Sequence, residues 1–277
     1  MRRRAFLLGA ASAIGVSAAG DEIVDTHIHI YDPSRPEGVP WPPKNDSLLY
    51  KPHLAQDFHA AVADTPVRKA VIIEASPWHA DNDWILARAR ENPAFVCVVG
   101  NLRPGTANFA TELARLRQNR LFRGIRIGGP AVEKSSVEDL RRVADAGLSI
   151  DVLTGSDHFA HVSELAAKIP NGRFILDHLP LYPSPKDALR NLEKAPNLYI
   201  KVSAVDPRSA NNTAALDELR DLFGPKRLVY GSNWPVSNRL GPYAEQFRVV
   251  SEWIGRQTAA DRRAFFHDNA KAVYRWP

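Results

Sequence analysis

The chain has 277 residues, 44% hydrophobic and 24% charged, which suits one large globular domain. There are 36 basic and 31 acidic residues, but Arg2, Arg3 and Arg4 supply three of the five net charges. No basic stripe with interleaved aromatics remains, so a nucleic-acid partner is excluded. The single cysteine, Cys97, excludes an intrachain disulfide framework and a cysteine metal cage. Its place inside "FVCVVGN" predicts a small buried residue.

The first twenty residues, "MRRRAFLLGAASAIGVSAAG", set a basic region before an Ala-rich apolar stretch from Ala5 to Ala19. Ser17 and Ala19 offer an A-x-A-like cleavage site. Arg3-Arg4-Ala5-Phe6-Leu7 matches the twin-arginine pattern R-R-x-F-L. Residues 1–20 are therefore expected to be a signal peptide read by the twin-arginine export machinery. The remainder would be a bacterial periplasmic or secreted protein. The stretch is too short and too weakly apolar for a comfortable membrane span, so no membrane association is expected of the mature form. No long heptad pattern or tail announces a protein partner, and the oligomeric state stays open.

From residue 21 onward, short β-rich runs alternate with amphipathic stretches. Strands are predicted at 22–30, 69–76, 94–102, 122–128, 148–154, 173–179, 198–204 and 227–233. The segment after the first strand, 31–52, is rich in Pro and aromatics and cannot be a regular helix. It is expected to act as a lid that brings Trp41 and Tyr50 to the wall of a pocket. "DNDWILARARENP" predicts a helix capped by Asp81, and "SSVEDLRRVADAG" one capped by Ser135 or Ser136 and stopped by Gly147. The stretch "TAADRRAFFHDNAKAVYRW" closes the pattern as a single helix. Eight strand–helix units with crossover-length connections imply parallel pairing and a single-domain (β/α)8 TIM barrel over 21–277. The alternative, an open doubly wound sheet, lacks its usual Gly-rich turn after the first strand.

In such a barrel the C-terminal ends of the strands face the active site. Side-chain alternation puts Asp25, His27 and His29 on one face of strand one. On strand six it groups Phe174, Leu176 and His178, and on strand eight Val229, Gly231 and Asn233. The three imidazoles and Asn233 are thus expected at one mouth.

Here the motifs "DTHIHIYDP", "LFRGIRI", "ILDHLP", "LYIKVSA" and "LVYGSNWPV" together resemble the amidohydrolase superfamily. The similarity points to its amidohydrolase-2 group of TIM-barrel hydrolases, which includes sugar-lactone and dicarboxylate-lactone hydrolases. The resemblance implies that His27 and His29 match the strand-one pair and His178 the strand-six histidine. It also implies that Asn233 stands where the family has an aspartate that ligates metal or takes a proton from water. An amide has no ionisable proton and is a weaker ligand. Glu74 on strand two or Asp151 on strand five would then replace it as the base, by parity, whereas Asp177 is expected to face the helices.

A second departure is Arg126, at the strand-four position where dinuclear relatives use a carbamylated lysine. Arg stays protonated, so a binuclear centre is not expected. One Zn or Mn on His27, His29 and His178 is chemically sound, with a metal-free route placed ahead of it. Arg126 and Lys201 are expected to bind a carboxylated or polyhydroxylated small-molecule substrate, helped by Ser76, Trp78, Trp234 and Tyr50. Lys201 has the alternative of an interior ion pair with Asp25 or Asp151. His53, His59, His79, His158 and His161 are assigned to surface or capping roles. The activity implied is hydrolysis of a lactone. The alternatives are a metal-dependent decarboxylase, or a periplasmic binding protein left by loss of the strand-eight aspartate.

Overall fold

Eight strands pair side by side in chain order, every pair parallel. They are β1 (Ile23–Ile28), β2 (Val67–Ile73), β3 (Phe95–Gly100), β4 (Phe122–Gly128), β5 (Ser149–Leu153), β6 (Arg173–Pro180), β7 (Leu198–Ser203) and β8 (Leu228–Tyr230). This computed structural model describes residues 22–128, 132, 134, 136–180 and 186–277. The signal peptide expected at 1–20 lies outside them. Among the described residues no helix is long and apolar enough to cross a membrane.

The helices between the strands are α1 (Ala55–Val62), α2 (Asp81–Arg90), α3 (Phe109–Leu116), α4 (Val137–Asp145), α5 (Phe159–Lys168), α6 (Lys186–Glu193) and α7 (Asn212–Phe223). After β8 come α8 (Tyr243–Gly255), α9 (Ala259–Arg263) and α10 (Asn269–Tyr274). The order is that of a single-domain (β/α)8 TIM barrel. In α4, Leu140, Val143 and Ala144 recur at helical spacing and are buried against the sheet. The Ser136 hydroxyl accepts from the Asp139 N–H at 3.2 Å, and Gly147 ends the unit at φ 70°. Asp81 is the first helical residue of α2 rather than its cap, and its carboxylate takes Arg35 instead. The last predicted helix is broken into α9 and α10 by a π-turn over Ala264–Asp268.

Parallel strands are covered on both faces, and their sequences read as near-continuous apolar runs. One layer, including Phe58, Ile72, Val98, Ile125, Ile150 and Leu176, packs between sheet and helices. A smaller cluster fills the barrel: Val24, Val71, Cys97, Val99, Ile175 and Val229. Val273, Tyr274 and Trp276 join this inner cluster, so α10 plugs the N-terminal end of the barrel.

β8 is short, and the ring closes on β1 partly through side chains. Thr26 Oγ1 donates to the Tyr230 carbonyl at 2.5 Å, and Asp25 Oδ1 accepts the Ser232 N–H at 2.8 Å. Beyond the strand, the Asn233 N–H reaches the His27 carbonyl at 2.9 Å and the His29 N–H reaches the Trp234 carbonyl at 2.8 Å.

The 31–52 segment has no regular element but is pinned at several points. Tyr31 and His53 exchange backbone hydrogen bonds of 3.0 and 2.9 Å. The Tyr31 hydroxyl donates to the Leu49 carbonyl, Arg35 pairs with Asp81, and Asp46 pairs with Arg239.

Candidate active site

Strict alternation fails at the ends of β1, β6 and β8, the three strands that bring the histidines and Asn233 to the mouth. In β1 the pairing with β2 slips between Asp25 and Ile28. Asp25 therefore leaves the face of His27 and His29, correcting the expected trio. Its Oδ2 accepts from the Tyr243 hydroxyl of α8 at 2.9 Å, and its Oδ1 from the His27 N–H at 3.0 Å. Burial raises its carboxyl to about 6.

In β6, Phe174 and Leu176 pack outward and Ile175 inward, so alternation sends Asp177 into the barrel. The expectation that Asp177 faces the helices is overturned. His178 would then point out, but it adopts φ 64°, where the pairing with β7 also slips. Both side chains end up inside, with the His178 ring 4.4 Å from that of His27. Asn233 also has φ 64°, three residues beyond the end of β8, so a turn rather than a strand aims its amide.

These groups converge. His27 Nε2 and His29 Nε2 are 3.2 Å apart, and His29 Nε2 is 3.2 Å from Asn233 Oδ1. His29 Nδ1 is 3.0 Å from the Ile73 carbonyl, which can only accept, so Nδ1 carries the proton and Nε2 a lone pair. His178 Nδ1 meets Ser203 Oγ at 2.8 Å. All three rings are buried and neutral. Burial, aided by Arg126, holds His29 down at about 3, and burial holds His178 at about 4. His27 is pushed well below its ordinary value by burial and then by Lys201.

Beneath them lies a buried ionic cluster. Lys201 Nζ is 2.7 Å from Asp151 Oδ2, 2.9 Å from Asp177 Oδ1 and 3.3 Å from His27 Nδ1. Burial alone would raise Asp177, but the Lys201 ammonium overrides it and keeps the carboxylate well below its usual range. Lys201 is 0% exposed. The interior pairing with Asp151 therefore prevails over the expected substrate contact, and Asp25 takes no part. Asp151 is equally sealed, its Oδ1 accepting from Ser149 and its Oδ2 from Lys201 and Tyr274.

At the rim, Arg126 Nε donates to Glu74 Oε1 at 2.8 Å and Nη2 to the Glu74 carbonyl at 2.6 Å. Its Nη1 looks toward Asp177 Oδ2 at 4.0 Å. Trp41 stands edge-on to His29 at 5.9 Å. The other expected wall residues lie elsewhere. Trp234 is buried against Phe58 and His53 rather than facing a ligand. Trp78 is 41% exposed, and Ser76 caps its own loop by accepting from the Trp78 N–H. Among the described contacts Tyr50 meets none of the histidines. His53, expected at the surface, is buried beside Tyr31 and Trp234.

The donor set suits a divalent cation. His29 Nε2 and Asn233 Oδ1 face each other as lone pairs, an arrangement that favours a positive charge nearby. Their spacing matches the roughly 3.3 Å edge of a tetrahedron around an ion with bonds of about 2.0–2.1 Å. Both Asp177 oxygens are buried; Oδ1 faces Lys201 Nζ, whereas Oδ2 has no hydrogen-bond donor, with Arg126 Nη1 4.0 Å away. Ligand atoms of His27, Asp177 and His178 lie within 4.8 Å of one another. Neutral imidazoles are the form that binds metal. Asp177 is the residue that alternation missed; its signal was the adjacent pair "DH" at a strand end.

The chain is 25% identical to an L-fucono-1,5-lactonase of Burkholderia ambifaria, over 91% of this chain and 95% of that relative. An amidohydrolase from Burkholderia multivorans, crystallised with bound Zn, superposes with a TM-score of 0.81 at 22% identity, covering 92% of this chain and 100% of that one. Amidohydrolase 2 from Bifidobacterium longum subsp. infantis gives a TM-score of 0.73 at 25% identity, covering 92% and 99%. The amidohydrolase family pattern itself runs through residues 24–276, from the inner layer of β1 to the plug beneath the barrel, and the chain belongs to that family.

Proposed function

We propose that the protein hydrolyses a small, polar lactone at the C-terminal mouth of the barrel. The observation that carries this reading is the convergence of His27 Nε2, His29 Nε2 and Asn233 Oδ1 beside His178 and Arg126. The similarity to L-fucono-1,5-lactonase supports a sugar lactone as the first substrate class to test.

The sequence alone favours a metal-free site. The facing lone pairs of His29 and Asn233 argue instead for one divalent ion, Zn or Mn, held by His27 and His29 with Asn233, which leaves His178 free of the metal. Such an ion would supply Lewis-acid polarisation of the lactone carbonyl. The chain's own groups do the rest. Arg126, fixed by Glu74, keeps Nη1 for a carboxylate or hydroxyl of the substrate. Trp41 covers His29 and limits the water around the reacting bond.

Of the carboxylates offered as bases, Asp151 has both oxygens occupied below the mouth and Glu74 is held against Arg126. His178 is the better base. Ser203 holds Nδ1, which leaves Nε2 to take a proton from the attacking water. The hydroxyl adds to the carbonyl carbon, the ring C–O bond breaks, and the proton on Nε2 passes to the leaving oxygen. The product is a hydroxy acid. Residues 1–20 would deliver the enzyme to the periplasm through twin-arginine export.

The test is a panel of sugar and carboxylated lactones assayed by acid release. Turnover is expected to vanish in His178→Gln while the unfolding transition persists. Wild-type-like rates in that variant would overturn the assignment.

A further inference from the structure

The described residues contain a continuous buried path from the floor of the barrel to its mouth. Tyr274, near the end of α10, enters from below and donates its hydroxyl to Asp151 Oδ2 at 2.8 Å. The same oxygen accepts from Lys201 Nζ at 2.7 Å, and Nζ lies 3.3 Å from His27 Nδ1. All four side chains are buried.

Geometry decides the direction of this chain. Lys201 can only donate, so His27 Nδ1 accepts. The competing partner for Nδ1, Asp177 Oδ1, is 3.6 Å away, too far for a hydrogen bond. With Nδ1 accepting, the neutral His27 ring carries its proton on Nε2. That proton points at His29 Nε2, 3.2 Å away, where the Ile73 carbonyl has already fixed a lone pair. The tautomers of both histidines are therefore set from outside the mouth.

We propose that Tyr274 is a positioning residue: by sharing Asp151 with Lys201, it holds His27 in the Nε2–H tautomer while no metal is bound. Asp151 Oδ2 divides its accepting capacity between two donors. Without the Tyr274 hydroxyl, its charge concentrates on Lys201 and draws Nζ away from the longer contact with His27. His27 Nδ1 is then free to carry the proton toward Asp177, and Nε2 becomes a lone pair aimed at the mouth. This rests on the reading of the histidine cluster as the active site.

The experiment is 15N NMR of the metal-stripped protein labelled at histidine, with His27 assigned by its loss in His27→Gln. The wild type is expected to show His27 with Nε2 protonated and Nδ1 bare. In Tyr274→Phe the two nitrogens should exchange character, with Nδ1–H becoming the major form. Asp151→Asn should instead keep Nε2–H, because the neutral amide holds Lys201 less tightly and leaves it to His27. General loosening of the barrel would not give opposite results in the two variants. A proton on Nδ1 in the wild type, or an unchanged His27 in Tyr274→Phe, overturns the proposal. Should Tyr274→Phe fail to fold, the wild-type spectrum alone still overturns the proposal if Nδ1 carries the proton. Absence of lactone turnover with this pattern intact would remove the functional reading and leave the tautomer control standing.

Discussion

Lys201 and Asp151 meet at 2.7 Å inside the barrel, and neither side chain touches solvent. Two charges removed from water are costly unless each is matched, and here one ammonium answers two carboxylates. Replacing Lys201 by Met would leave Asp151 and Asp177 uncompensated. The variant is expected to lose about 3–5 kcal/mol of stability in urea unfolding. Adding Asp151→Asn should restore part of it, since the two sites share the interaction. A loss below about 1 kcal/mol would mean that water reaches the pair.

Asn233 sets the charge of the mouth. Asn233→Asp adds a carboxylate 3.2 Å from His29 Nε2, the nitrogen that carries a lone pair. Zn affinity should rise roughly 10- to 100-fold, an effect of the size seen for groups that tune a metal site. Competition with a chromophoric chelator reads this directly. An unchanged affinity would show that Asn233 lies outside the ligand set.

His178 links the site to acid stability. Its folded-state value, lowered from 6.5 to about 4 chiefly by burial, lies below that of the unfolded chain. Its contribution is therefore complete above pH 6.5 and is lost as pH falls toward 4, because the unfolded chain takes up the proton first. Asp25 works in the opposite sense. Raised from 3.8 to about 6, it favours the fold below pH 3.8 and loses that contribution as pH rises through 6. The wild-type slope mixes the two, so the comparison with His178→Gln isolates the histidine. Between pH 7 and pH 4.5 the metal-free variant should lose roughly 2–3 kcal/mol less than wild type. Parallel curves would mean that His178 titrates normally in the fold.

Gly231 leaves space for His27. A Cβ there would sit 2.9 Å from His27 Cβ and 3.3 Å from Lys201 Cγ. Gly231→Ala is expected to cost about 1–3 kcal/mol through overpacking, and to lower lactone turnover by displacing His27. Intact stability with lost turnover, or the reverse, would separate packing from positioning.

Much of the barrel was legible because its signals are local. β-Branched runs such as "KAVII" and "FVCVV" mark strands buried on both faces, and Ser136 and Gly147 punctuate α4 by their own chemistry. The mouth was legible only in part. Alternation assumes an unbroken strand, and β1, β6 and β8 each break or stop beside the site. Hence Asp25 and Asp177 exchanged the roles expected of them, while His178 and Asn233 arrived through left-handed turns. The contact of Tyr274 with Asp151 spans 123 residues, and no local pattern encodes it.

The floor of the barrel also has a consequence for how the chain folds. The inner layer begins with Val24, but the residues that seal it from below are Val273, Tyr274 and Trp276. Eight strands can line up in sequence and still leave the lower opening wet until α10 arrives. Pairings of such long sequence separation form slowly, because their loop-closure entropy is lost before any contact compensates. In the folded chain the lower end of the inner layer is closed by residues that follow all eight strands in sequence. A variant that loosens α10 would uncover Val24, Val71, Cys97 and Val229 at that end, and it is expected to aggregate more readily than wild type in light scattering.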